Sequence, residues 1–274
     1  MFRIFYILLL GFFSVKSQAW NAIGHQLVAQ IAYNNLTPAA KKMCAHYLDV
    51  QSNQSLDVNF VAVSTWLDTI RRKRVHQFDS LHYIDIPFSR DHSKLPKIEP
   101  RNALWAIEHA VSVLSSSQAS RAEKALNLRI LIHVVGDIHQ PLHTVTKISR
   151  RFPEGDLGGN LFLLAKNPNG SNLHQYWDQG AGLFITRKNT PNIKNKAYAL
   201  EQKWSCDFAN QQTNVQDWID RSHRLAVTHA YAIRAHKKPG KYYQYHAQHI
   251  VEQQIVFSGC HLAYLINNVS NVGS

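Results

Sequence analysis

The stretch from Leu126 to Val135 is apolar on nearly every face, yet His133 lies inside it and Asp137 directly beyond it. The run from Arg121 reads as a helix, opened by the capping-box pair Ser120 and Glu123. A helix that is apolar all round is buried. Residues four apart project from one side of it, so His133 and Asp137 share a side. An uncompensated carboxylate there costs several kcal/mol, roughly, or takes up a proton. A cation bound by both residues removes the conflict, and zinc accepts both ligand types. The chain is therefore expected to fold around a charge.

More ligands of the same kind follow. Pro141 lacks an N–H and its ring clashes with the preceding turn, so the helix stops or kinks and His143 turns back toward the same space. His174 and Asp178 repeat the four-residue spacing on a second helical turn. Asp68 lies on an earlier helix, and His82 on an extended piece after it. None of these candidates is a thiolate, which favours catalytic over structural zinc. The three cysteines, Cys44, Cys206 and Cys260, are too few for a disulfide framework. One bridge and one free thiol are expected, and the spacing does not say which pair joins.

Residues 1–19 read as a cleavable export signal. Arg3 gives a positive start, Ile4 to Phe13 form an apolar run broken only by Gly11, and Ser17-Gln18-Ala19 sets small residues at the cleavage positions. The run is shorter than the ~20 residues that span a bilayer, and no later segment does so. The expectation is a secreted or periplasmic protein whose domain covers 20–274. Cleavage frees the α-amino group of Trp20, whose unperturbed pKa of about 7.7 to 8.0 lets it deprotonate beside a metal. With its own carbonyl oxygen that amine closes a five-membered chelate, and His25 follows a turn and a half later. Losing Arg3 and Lys16 lowers the formal charge from +12 by two, to +10. So basic a surface favours polyanions, nucleic acid or anionic membrane, without identifying a reaction.

Helical patterns dominate the rest. They are expected over Ala22 to Asn34, from Pro38 behind a Thr37 cap to about Leu48, and from about Asp57 through Val61, Trp66 and Ile70. Others cover Pro100 to Ser116, Arg121 to Val135, Val215 to His236 and Lys241 to Asn268. Strand signal is limited to a short hairpin near Leu161 to Ala165, with Asn169-Gly170 in its turn. No linker divides the chain. The fold class is all-α, a single multi-helix domain with at most a short β-hairpin.

The ordered set Trp20-x4-His25, Trp66-Leu67-Asp68, His82-Tyr83-Ile84-Asp85, the run His133 to His143, Gly158-Gly159-Asn160 and His174-x3-Asp178 resembles the S1/P1 nuclease family. The resemblance spans nearly the whole chain after residue 19. It implies a helical domain of the phospholipase C/P1 nuclease type with three zinc ions (Zn2+) per chain, a monomer acting on single-stranded DNA and RNA and on 3′-nucleotides. The products would keep the phosphate on the 5′ side. Carried over, the pattern places Asp68, His82, His133 and Asp137 on one zinc and His143, His174 and Asp178 on a second. Trp20, through its amine and carbonyl, holds the third with His25 and with Asp137, which bridges to the first and is the central catalytic carboxylate.

Arg71 matches the basic family position that faces the phosphate, where it would stabilise transition-state charge; it also reads as a solvated member of the run Arg71 to Arg74. Tyr83 takes the place of an aromatic residue that contacts a base or packs. Asn160 is the glycine-flanked asparagine beside the cleft, and Gln179 stands where some members touch the base. Asp85 is expected behind the metal ligands, and His139 is read as structural. Arg150-Arg151 and Lys237-Lys238 read as solvated faces or as contacts to a phosphate backbone, and extruded bases would stack on an exposed ring. Two rivals stand beside this function. A zinc-dependent phospholipase C also starts with tryptophan, but its first histidine lies further along. A non-catalytic basic protein that captures nucleic acid would need zinc only structurally.

Overall fold

A computed structural model describes residues 20–49, 55–185 and 192–272; the expected leader, residues 1–19, lies outside them. Helix α1, Ala22–Asn34, starts where the Asn21 side chain accepts the N–H groups of Ile23 and Gly24. Thr37 caps α2, Pro38–Tyr47, with proline at its first turn, where the missing N–H costs nothing. The one helix expected after Asp57 is two, α3 (Leu56–Val63) and α4 (Trp66–Arg72). Between them the Ser64 hydroxyl donates to the Val61 carbonyl at 2.6 Å. The Ser64 carbonyl itself turns to a different helix. Helix α5 spans Ala103–Ser115 and begins after Pro100, because Asn102 supplies the cap. Helix α6 spans Arg121–Ile138 and carries the expected capping box of Ser120 and Glu123.

Helix α7 is Leu173–Asp178. Helices α8, Ile193–Lys203, and α9, Cys206–Asn210, are not among the helices expected from the sequence. Helix α10, Val215–Leu225, does not run on to His236: a π turn, Ala226–Ala230, follows it. Just past that turn Tyr231 is buried, and its hydroxyl donates to the Asp156 carboxylate at 2.9 Å. Helix α11, Lys241–Val272, closes the described chain with 32 residues.

The strand content differs from expectation. Two short strands, β1 (Pro87–Ser89) and β2 (Thr146–Ile148), pair in parallel. The hairpin near Leu161 reduces to one antiparallel bridge, Leu163 to Asn172. The remaining regular structure of the described residues is helical, as expected.

One apolar core runs through the molecule, from Trp20 to Val269. Helix α6 crosses its middle, against α1, α2, α3, α4, α5 and α11. From Asn127 to Ile138 every residue of α6 except Arg129 is buried, so His133 and Asp137 lie inside the protein. A disulfide joins Cys206 of α9 to Cys260 of α11. Cys44 is a buried thiol, pushed up to about 12 by burial. Among the described residues, no helix is long and apolar enough to cross a membrane.

Candidate metal centre and substrate pocket

Three helices and a loop converge on α6. The His133 Nδ1 lies 2.6 Å from the Ser64 carbonyl, the oxygen released by the break between α3 and α4. A carbonyl only accepts, so the ring proton sits on Nδ1 and the Nε2 lone pair faces inward. It points at His82 Nδ1, 3.1 Å away, and at Asp137 Oδ2, 3.4 Å away. His82 closes a 3₁₀ turn, Asp79–His82, and its Nδ1 lies 3.0 Å from the same Asp137 oxygen. On α1 the His25 ring stacks on His133 at 4.0 Å, with Nε2 3.3 Å from Asp137 Oδ1. Gly136 makes room for that ring. A Cβ there would lie 2.9 Å from His25 Nδ1.

A second group adjoins the first. His143 Nδ1 donates to the His82 carbonyl at 2.7 Å and His174 Nδ1 to the Gly158 carbonyl at 2.8 Å. Both Nε2 lone pairs then meet at 3.0 Å, with Asp178 Oδ2 3.5 Å from His174 Nε2. Three electron-rich atoms facing one point could hold a cation between them. Gln140 fixes the carboxylate by donating to Asp178 Oδ1 at 2.7 Å. Gly158 has φ of 58°, and a Cβ there would meet the Leu142 carbonyl at 2.4 Å. The strand pair braces the group: Ile84 N–H donates to the His143 carbonyl and Thr146 N–H to that of Ile86. The chains after His82 and His143 are thereby locked side by side.

The electrostatics of the centre suit a positive ion. Burial drives Asp137 well above the carboxylate range, with Asp68 and Asp178 adding repulsion. Asp178 rises for the same reason. Burial lowers His25, His82 and His133, and for His25 and His82 the neighbouring imidazoles lower it further. Asp68 Oδ1, Asp137 Oδ1 and both His25 nitrogens are buried without a hydrogen-bond partner. His25 and Asp137 are close at 3.3 Å, yet neither atom makes a hydrogen bond there. Such orphans are costly unless something else satisfies them. Three groups have ligand atoms within 4.8 Å of one another: His25, His133 and Asp137; Asp68, His82 and His133; His143, His174 and Asp178. Imidazole and carboxylate donors without sulfur fit zinc.

Trp20 is fully buried, its ring edge-on to Phe184 at 5.9 Å. The next N–H, of Asn21, donates to the Asp178 carbonyl at 2.9 Å, which anchors the start of the described chain beside the second group.

A cavity of about 150 Å³ opens over His174, lined among others by Arg71, Tyr83, Asp85 and Asn160. Arg71 Nε lies 3.3 Å from Asp79 Oδ1, half-buried at the rim. Asp85 lines the cavity wall. Burial, with the nearby Asp156 carboxylate, pushes it up to about 7. Asn160 is buried, donates to the Leu157 carbonyl at 2.8 Å, and keeps its Oδ1 without a partner. Gln179 is elsewhere: it caps α7 and accepts from Asn21 at 2.8 Å, in a second cavity with Asn169 and Phe184. His139 is structural as expected, its ring held by the Val135 carbonyl and by His261, each at 2.8 Å. Among the described residues that pair has no third ligand atom beside it.

Sequence reasoning missed Ser64, Gln140, Asp156 and Tyr231. Asp156 accepts from the N–H groups of Lys147 and Gly159 and from Tyr231, and so sets the loop that carries Gly158 and Asn160. The only signal for it was its place just before the Gly158-Gly159-Asn160 motif.

Adjoining imidazole–carboxylate groups inside a helical core, opening on a cavity with an arginine at its rim, fit a hydrolase that handles phosphate esters at a metal-type centre. Residues 20–271 match the family model described as S1/P1 Nuclease, and the chain belongs to that family. It is 27% identical to Endonuclease 1 of Arabidopsis thaliana over 96% of this chain and 92% of that protein. It is 28% identical to Nuclease S1 of Aspergillus oryzae over 58% of this chain and 53% of that one. Nuclease P1 of Penicillium citrinum is 27% identical over 58% and 57%. The chain is thus a nuclease, a hydrolase acting on phosphodiester bonds.

Proposed function

We propose that this protein is an exported, zinc-dependent endonuclease and 3′-nucleotidase that cleaves single-stranded DNA and RNA to 5′-phosphate products. The observation that carries the zinc is the set of buried atoms without partners, Asp68 Oδ1, Asp137 Oδ1 and both His25 nitrogens. Three adjoining groups of donors support a reading of three ions per chain. Asp68, His82, His133 and Asp137 would hold one, His143, His174 and Asp178 a second, and His25 with Asp137 and the Trp20 amine and carbonyl a third. That last site requires cleavage before Trp20, and hence export to the periplasm or beyond. When bound, zinc supplies Lewis acidity and brings the pKa of its water near 7.

The chain's own residues do the rest. The Ser64, His82 and Gly158 carbonyls fix three imidazole tautomers, so that each Nε2 lone pair faces the centre. Gln140 holds the Asp178 carboxylate in one orientation. Arg71, at the cavity rim, would pair with the phosphate and stabilise its added charge. The Tyr83 ring would lie along a base, while Asn160 and Asp85 offer hydrogen-bonding groups to its edge. A base reaches such a cavity only when unstacked, which supports preference for single strands. Gln179 would touch nucleic acid only from the second cavity, beyond Asp178. The protein is proposed to act as a monomer.

The test is incubation of protein with an authentic Trp20 terminus with single-stranded DNA, RNA, a 3′-nucleotide and phosphatidylcholine, each with and without chelator. Chelator-sensitive release of 5′-mononucleotides is expected. Phosphocholine release instead would establish a phospholipase C, and binding without turnover a capture protein.

A further inference from the structure

From Arg221 to Val251 the chain contains no aspartate or glutamate. Within that stretch Arg234, Lys237, Lys238 and Lys241 are all exposed, and none forms an ion pair among the described residues. Beside them α11 presents Tyr242 and Tyr245 on one face, 79% and 67% exposed. Tyrosines normally bury much of their ring, and two so bare, three residues apart on a helix, form a continuous aromatic face. His246, also exposed, lies against both rings, at 4.2 and 5.6 Å.

The same turn of α11 is seated on the helix that carries His174 and Asp178. Trp177 Nε1 donates to the Tyr243 hydroxyl at 3.0 Å. The Gln244 and Gln248 amides both donate to the Ala181 carbonyl, just after α7, at 3.0 and 3.1 Å. On the other side His236 N–H donates to the Leu163 carbonyl at 2.8 Å, in the loop that leads into α7. Tyr243 therefore points toward the centre while Tyr242 and Tyr245 point to solvent. The aromatic face thus stands on the turn of α11 that packs against α7, the helix whose His174 lines the cleavage cavity.

We propose that residues 234–249 form a second binding surface for single-stranded nucleic acid, which holds the strand outside the cleavage cavity. This rests on the nuclease reading above and adds to it a site distinct from the metal centre. The cations contact phosphates and the two tyrosines stack unpaired bases, a combination that grips single strands without reading their sequence. An anionic membrane would also attract the charge, but a membrane-binding face carries leucine, phenylalanine or tryptophan to insert. Here the exposed ridge is tyrosine and histidine.

Two variants of the full protein test this: K237A/K238A/K241A and Y242A/Y245A. Each is compared with wild type on a 3′-mononucleotide and on a 30-nucleotide single strand across a salt series, and binding of a labelled phosphorothioate oligothymidylate is followed by anisotropy. Turnover of the mononucleotide is expected to stay unchanged. On the long strand KM should rise about ten-fold at low salt, and the lysine variant should lose about two from its log–log salt slope, at ~0.7 per phosphate on single strands. Equal affinity and equal slope in all three proteins would overturn the proposal. So would an equal loss on both substrates, or a loss confined to sedimentation with anionic phospholipid vesicles. If wild type cuts neither substrate the nuclease reading fails, while anisotropy still reports on this surface.

Discussion

The Ser64 carbonyl accepts the Nδ1–H of His133 at 2.6 Å, across the gap between α4 and the buried middle of α6. The bond explains why the helix expected after Asp57 is interrupted. An unbroken helix would spend that carbonyl on its own ladder, and the His133 tautomer would then be free to change. Such a bond to the far nitrogen of a metal-binding histidine also raises its basicity. A local defect in secondary structure thus prepares the centre.

Gly136 touches His25 in a way no side chain allows. Gly136→Ala places a methyl 2.9 Å from His25 Nδ1. Alanine itself favours a helix by up to ~1 kcal/mol over glycine, so the fold should survive. The expected result is loss of one zinc per chain and at least ten-fold lower kcat, read by metal analysis and turnover. Full metal content with full activity would show that His25 is not a ligand.

Removing metal should cost stability as well as activity, because it strands buried carboxylates beside one another. A protein that binds metal only when folded gains about 4 kcal/mol at a thousand times Kd. Thermal melting with chelator, then with graded zinc, is expected to show Tm falling and recovering. A Tm indifferent to both treatments would argue that the centre binds no cation in the native state.

Asp156 organises the loop under the cavity without facing substrate. Tyr231→Phe removes one hydrogen bond to a buried carboxylate, a loss of about 1.5 to 3 kcal/mol. Asp156→Asn should cost at least as much and should also raise KM, since Gly158 and Asn160 shift with the loop. Urea midpoints and steady-state kinetics on the same samples measure both effects. Unchanged KM in Asp156→Asn would limit Asp156 to a purely structural role.

The Asp57–Lys194 pair ties α3 to α8. Its hydrogen bonds to Lys194 and Ser55 hold Asp57 below the usual carboxylate range. A depressed carboxylate stabilises the fold above its unfolded pKa, near 3.9, and that contribution fades as pH falls through lower values. Lys194 is 62% exposed, so the effect should be below about 1 kcal/mol. Asp57→Asn is expected to lower the urea midpoint slightly at pH 6 and to leave it unchanged near pH 2.

The amino-acid sequence by itself determined the helices with strong caps, such as Thr37 before α2 and Ser120 with Glu123 before α6, because capping is settled within a few residues. It also marked His133 and Asp137 as a pair suited to a cation, since they stand on a stretch too apolar to accept them uncompensated. It left the break at Ser64, the π turn before Tyr231 and the parallel pair β1–β2 undetermined, because each answers to a partner far along the chain: His133, Asp156 and the segment after His143. The same holds for Asp85, three residues after His82, and Gln179, next to Asp178, whose positions are set by packing, one on the cavity wall and the other beyond α7. Only the tertiary structure could make those assignments, because hydrogen bonds between distant segments decide which way a carbonyl or side chain faces, and local propensity carries no record of them.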